Sequence, residues 1–261
     1  MDSFAAARFL GRVALATVAA GGLAACGSGD DRPAAGSASG PATAASSPAT
    51  GPPASPSTSA PSLACLPGGR SLPGAHGTNA TVTGRGATAV VFVNTADGTA
   101  CDWADYAKTL VEDGTTVVAY DYATPDGPLA DRQRELRGVV AGARAQGADR
   151  VVVIGGSRGG CLGLIEAASS ADIDAVGVLS CAKVWNRGDP TALAGYLPKV
   201  RQPVLSVVAA QDPDVPESEV RADAAALPRA SVLVVPGDEH GVPLLTQPRV
   251  TAQLTALVRG S

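Results

Sequence analysis

From about residue 79 onward, short runs of β-branched and other apolar residues alternate with stretches whose apolar positions recur every three or four residues. The first pattern suits strands buried on both faces, and the second suits helices with one buried side. Thr78 to Thr83 predicts a short polar strand, with Gly84-Arg85-Gly86 as a hairpin turn. Thr88 to Asn94, with Val90, Val91, Phe92 and Val93 in a row, predicts a buried strand. Asp102 to Asp113 sets Trp103, Tyr106, Ala107 and Leu110 on one helical face, and Gly114 closes it. A strand over Thr116 to Tyr122 and a helix from Leu129 to Ala145 follow. Val151 to Ile154 is the next strand, running through glycines into a helix that reaches Ser169. Beyond it come a strand over Ala175 to Ser180, then a loop and short helix over Thr191 to Leu197. Strands over Pro203 to Ala209 and Val232 to Val235 flank a helix at Glu217 to Leu227, and Arg249 to Val258 is a closing amphipathic helix. Such alternation predicts an α/β fold, a mainly parallel sheet with helices on both faces and ligands beyond the carboxyl ends of its strands.

The N-terminal quarter shows neither pattern. Arg8 and Arg12 precede a short apolar run from Val13 to Ala25, too short to cross about 30 Å of hydrocarbon comfortably as a helix, which reads as an export signal. Leu23-Ala24-Ala25-Cys26 resembles the lipobox of bacterial lipoproteins. The resemblance implies a signal peptide over 1–25, cleavage before Cys26, and lipid attached to that cysteine. The protein would then be lipid-anchored at the bacterial cell envelope, with plain secretion as the alternative. Residues 26–62 are almost entirely Ala, Ser, Pro, Thr and Gly, a composition expected of a disordered tether. Residues 63–261 form the expected folded domain.

Charge excludes one class of partner. The 261 residues carry a formal charge of −4 without a block of like sign, so nothing points to nucleic acid. Besides Cys26, the cysteines are Cys65, Cys101, Cys161 and Cys181, an even number in an exported chain. Three pairings are open. Cys161–Cys181 is favoured because both fall at the carboxyl edge of the sheet, and Cys65–Cys101 would then staple the domain's first segment to its first helix. Four unpaired buried thiols are the alternative.

The candidate chemistry sits where the strand Val151–Ile154 meets its helix. Gly155-x-Ser157-x-Gly159 places a serine at the tip of a strand-to-helix turn, the arrangement of a nucleophile elbow. A bare tight turn and a phosphate loop compete, although no Gly-Lys-Ser/Thr follows. A serine nucleophile needs a base. His240 follows the strand Val232–Val235 directly, whereas His76 precedes the sheet. The base needs an acid. Asp212, after the strand ending at Ala209, is favoured over Asp214, and Asp238 and Glu239 lie too close to His240 in sequence.

The order Ser157, Asp212, His240 is the order found in α/β-hydrolases. Through Gly155–Gly160, Asp212–Pro216 and Gly237–Gly241, residues 79 to 258 resemble that superfamily. The resemblance implies a Ser-His-Asp triad and an oxyanion hole made by the backbone N–H groups of Arg158 and Ala96. Where the superfamily often has His-Gly, this chain has Asn94-Thr95. Only about twenty residues separate Cys181 from Pro203, so an open cleft with almost no lid is expected, and Lys183, Trp185, Asn186 and Tyr122 read equally as its lining or as ordinary loop residues. The chemistry implied is hydrolysis of small-molecule or polymer-borne carboxylic esters by a monomer that needs no metal or organic cofactor. A serine peptidase, or an envelope lipoprotein that keeps the scaffold for binding alone, are the alternatives.

Overall fold

The computed structural model describes residues 63–73, 78–182, 184–186, 189–190 and 193–261. The expected signal, Cys26 and the tether lie outside the described residues, as do His76, Lys183 and the side chains of Trp185 and Asn186. The first half of the domain carries strands β1 (Arg70–Ser71), β2 (Asn79–Thr83), β3 (Thr88–Val93), β4 (Thr116–Asp121) and β5 (Arg150–Gly156). Helices α1 (Ala104–Glu112), α2 (Leu129–Ala145) and α3 (Arg158–Ala167) interleave with them. The second half carries β6 (Ala175–Leu179), a small hairpin of β7 (Val184–Asn186) and β8 (Asp189–Pro190), then β9 (Val204–Ala209) and β10 (Ala230–Val235). Helix α4 (Glu217–Ala225) joins the last two strands, and α5 (Pro248–Arg259) closes the domain.

Eight strands form one sheet in the order β1-β2-β4-β3-β5-β6-β9-β10. From β4 to β10 every pairing is parallel, while β1 and β2 run antiparallel at one edge. This is the expected α/β architecture with one correction. Gly84-Arg85-Gly86 is not a hairpin turn, because β2 pairs with β4 and not with β3. Strand β3 has β4 on one side and β5 on the other, so it has no free edge to offer. The connection is pinned by Thr116, whose hydroxyl accepts from the Gly86 N–H and donates to the Gly86 carbonyl.

Alternate residues of each central strand go to opposite layers, as the period of two requires. Val91, Val93, Val151 and Val153 pack with Leu136 and Val139 of α2 and with Leu162 and Ile165 of α3. Val90, Phe92, Val152 and Ile154 pack with Leu110 of α1 and with Val250 and Leu254 of α5. Each such fully buried side chain contributes roughly 1.5–3 kcal/mol. Trp103, Tyr106, Ala107 and Leu110 are all buried, although Trp103 belongs to a 3₁₀ turn (Ala100–Trp103) that precedes α1. Cys65 bonds to Cys101 in that turn, and Cys161 of α3 bonds to Cys181 just past β6. Closing loops of 36 and 20 residues, the bridges stabilise the fold by about 3–4 kcal/mol each on chain-entropy grounds.

Candidate active site

Strand β5 ends at Gly156 and α3 begins at Arg158, which leaves Ser157 alone at the bend with φ 52° and ψ −123°. A side chain in that region is strained and persists only where its surroundings fix it. Here the Ser157 N–H donates to the Leu179 carbonyl at 2.8 Å, and the Ser157 carbonyl accepts from the Gly160 N–H at 3.0 Å. The flanking glycines are required by close approach. A Cβ on Gly155 would collide with the Gly159 carbonyl, and one on Gly159 with the carbonyls of Val93 and Asn94. Without side chains at these two positions, the first turn of α3 can lie directly on the ends of β5 and β3.

Two loops at neighbouring strand ends supply the partners. His240 follows β10 in a loop bounded by Gly237 and Gly241, both at positive φ. Its Nε2 lies 2.8 Å from the Ser157 hydroxyl, and its Nδ1 lies 3.0 Å from each Asp212 carboxylate oxygen. With Asp212 ionised, Nδ1 must donate, which leaves Nε2 free to accept from the serine hydroxyl. Asp212 follows β9, and its Oδ1 accepts from the Asp214 and Val215 N–H groups, each at 2.9 Å. Burial alone would push the Asp212 carboxyl up. The Ser180 hydroxyl nearby, together with hydrogen bonds from the Asp214 amide, His240 and the Val215 amide, outweighs that and holds it below the ordinary carboxylate value. The structure thus brings Ser157, His240 and Asp212 into one hydrogen-bonded chain. Asp214 contributes its amide and keeps an exposed side chain.

Asp212, Asp214 and His240 hold potential metal-ligand atoms within 4.8 Å of one another. Both Asp212 oxygens and both His240 nitrogens already serve the hydrogen-bond chain, so a cation there would compete with it.

Ser157 and His240 open onto a cleft of about 860 Å³ between the segment after β3 and the 3₁₀ turn Val242–Thr246. Asp97, Asp102 and Asp105 line one wall and Val242, Pro243 and Leu245 the other, and no Lys or Arg lines it among the described residues. Tyr106 shares the cleft; burial pushes its hydroxyl up to about 12, so it stays neutral, sharing a hydrogen bond with the Thr255 hydroxyl at 3.2 Å. Tyr122, open between cleft lining and an ordinary residue, does not line this cleft. Its hydroxyl donates to the Asn94 carbonyl at 3.1 Å, and its ring lies under the buried Arg132 guanidinium at 4.3 Å. Ala96 and Arg158, the two residues expected to form the oxyanion hole, come together on a pocket of about 10 Å³ beside Thr95, Tyr122 and Arg132. Arg158 is the first residue of α3, where backbone N–H groups have no intrahelical carbonyl to bond.

Sequence reasoning gave no role to the Asn94 side chain, which anchors this loop. Buried at the end of β3, it donates from Nδ2 to the Tyr120 carbonyl at 2.9 Å and accepts from the Trp103 indole at 3.0 Å.

No family model matches the chain, and no curated protein does. Solved structures match by shape. Est1E from Butyrivibrio proteoclasticus, in a structure with ferulic acid bound, aligns at TM-score 0.61 and 18% identity over 70% of this chain and 96% of that one. A monoacylglycerol lipase from Paleococcus ferrophilus aligns at TM-score 0.60 and 13% identity over 70% and 97%. A hydrolase from Thermoplasma acidophilum, described as predicted and CIB-like, aligns at TM-score 0.58 and 22% identity over 71% and 95%. Together with the strand order and the parallel pairing, these likenesses show that the chain has the α/β-hydrolase fold.

Proposed function

We propose that this protein is a serine hydrolase that cleaves carboxylic esters through an acyl-enzyme. The observation that carries the reading is the continuous chain from the Ser157 hydroxyl through His240 to Asp212, with contacts of 2.8 and 3.0 Å. The Ser157 oxygen attacks the ester carbonyl while Nε2 of His240 takes its proton. The tetrahedral oxyanion is held by the Arg158 and Ala96 N–H groups, a kind of contact worth about 10²–10³-fold in rate per donor. Collapse expels the alcohol, which receives the proton from His240. Water then attacks the acyl-serine with His240 again as base, releasing the acid and restoring Ser157. Asp212 keeps the imidazole in the required tautomer and stabilises its protonated form.

The esterase and lipase neighbours support ester chemistry on this fold, one of them with ferulic acid bound. The cleft's mixture of carboxylate and apolar walls suits a neutral or cationic small ester, or an ester group exposed on a polymer. The reading extends to location: Cys26 would carry the lipid that holds the domain at the envelope, and residues 26–62 would tether it. Labelling with a fluorophosphonate tests the chemistry. Covalent modification at Ser157 is expected, and a folded protein that resists the probe would rule this function out. Metabolic labelling with an alkynyl fatty acid tests the anchor and should fail in Cys26→Ser.

A further inference from the structure

The loop after β3, which carries Ala96, is held at its first peptide. The Asn94 carbonyl accepts from the Tyr122 hydroxyl at 3.1 Å, in addition to the two hydrogen bonds made by the Asn94 side chain. Asn94 is thus fixed at side chain and carbonyl together. Because the peptide unit is planar, the carbonyl sets the direction in which the chain enters Thr95 and Ala96. Tyr122 follows β4 and lies 28 residues away along the chain, so the contact exists only in the assembled sheet.

The Tyr122 ring is itself held on two sides. The Arg132 guanidinium of α2 lies over its face, 4.3 Å from the ring centroid. The Tyr120 ring meets it edge-on, with centroids 5.6 Å apart. Arg132 is 1% exposed, and its Nη1 donates to Oε2 of Glu135 at 2.9 Å. Its Nη2 is buried with no hydrogen-bond partner among the described residues. A buried ion pair gives a fold no more stability than well-packed apolar side chains of the same volume, and an unpartnered buried nitrogen adds a cost. Stability therefore does not account for a guanidinium here. Position does, because Arg132 and Tyr122 line the small pocket to which Ala96 and Arg158 also belong. A flat cation over an aromatic face restrains the ring's tilt, and the tilt decides whether the hydroxyl reaches the Asn94 carbonyl.

We propose that Arg132 and Tyr122 are positioning residues for the oxyanion hole, the guanidinium holding the ring whose hydroxyl fixes the Asn94 carbonyl and, through it, the Ala96 N–H. The role rests on the esterase reading above. Neither residue touches substrate, and both act through the loop after β3.

Two variants test the two contacts. Tyr122→Phe removes the hydroxyl and leaves the ring under Arg132. Arg132→Met combined with Glu135→Gln removes both charges of the pair and so leaves no lone charge buried. Melting curves establish that each variant is folded. In the full chain with both disulfides formed, hydrogen exchange of the Thr95 to Gly98 amides, read by mass spectrometry, should speed up about fivefold or more in both, with β5 and α3 unchanged. For p-nitrophenyl butyrate, kcat/KM should fall about fivefold in Tyr122→Phe and about tenfold in the double variant. A trifluoromethyl ketone of matching chain length, whose adduct with Ser157 carries an oxyanion, should lose affinity by the same factors. The matching methyl ketone stays trigonal and should lose none. If the wild-type protein forms no adduct with a fluorophosphonate, the esterase reading fails, and the exchange rates still decide whether Arg132 and Tyr122 hold the loop. Unchanged exchange at Thr95 to Gly98 in both variants, beside a reactive wild type, would overturn the proposal. So would an unaltered affinity for the trifluoromethyl ketone, which would leave the two residues a purely structural role.

Discussion

The elbow after β5 and the loop after β3 sit side by side at the carboxyl edge of the sheet, yet they are held in opposite ways. The elbow is fixed by the lack of side chains: Gly155 and Gly159 let backbone rest on backbone. The loop is fixed by a side chain, with Asn94 gathering the Trp103 indole and the Tyr120 carbonyl. The loop at Asp212 follows the second plan, its carboxylate taking the Asp214 and Val215 amides. Close packing of bare backbone tolerates no added atom. A hydrogen-bond hub tolerates small changes and fails in proportion to the partners it abandons.

Substitutions on the two sides should therefore fail differently. The largest effect falls on chemistry. Ser157→Ala should lower ester hydrolysis by at least about 10⁴-fold, while leaving unfolding free energy within about 0.5 kcal/mol of wild type. Parallel rate measurements and urea melts would show it. On the glycine-built side, Gly159→Ala should cost about 3 kcal/mol or more in a urea melt, because the methyl meets two backbone carbonyls that cannot yield. A loss below about 1 kcal/mol would mean that the elbow is looser than its contacts imply. On the side-chain-built side, Asn94→Ala should cost about 2 kcal/mol by leaving the indole N–H and the Tyr120 carbonyl buried without partners. Its kcat/KM should also drop, by about 10–100-fold, as the loop carrying the Ala96 N–H loosens.

The smallest effect is one of pH. Asp212 is held below its ordinary value, so the stability it contributes is present above the unfolded carboxylate value, about 3.9. That contribution is lost as pH falls through the lower folded value. Asp212→Asn should remove this part of the acid sensitivity, which acid titration of the unfolding free energy in both proteins would reveal. Identical acid profiles would mean that the carboxylate's hydrogen bonds add nothing to the fold.

Legibility in the sequence divides along the same line. Gly155, Ser157 and Gly159 were readable because the contacts they make are local, set by a strand that must turn at once into a helix. Helix α2 was read over Leu129 to Ala145, the range it occupies, because one buried face along one helix is also a local pattern. The Asn94 hub was not readable, since its partners arrive from Trp103 and Tyr120, and nothing in a single strand end announces them. The place of Tyr122 stayed open between two readings for the same reason. At the end of β4 it could face the cleft or the interior, and the buried Arg132 and the Asn94 carbonyl draw it inward.

Sequence alone determined the alternation of strands and helices, the elbow, and the residues able to act as nucleophile, base and acid. Those features depend on periodicity, on glycine where no Cβ fits, and on the short supply of histidine. Tertiary structure alone decided that β2 joins β4 and not β3, and that Ala96 and Arg158 share a small pocket. Each of these is a meeting of segments distant along the chain. Which strand edges remain free, and which side chains face one another across them, is settled only when the whole sheet has assembled.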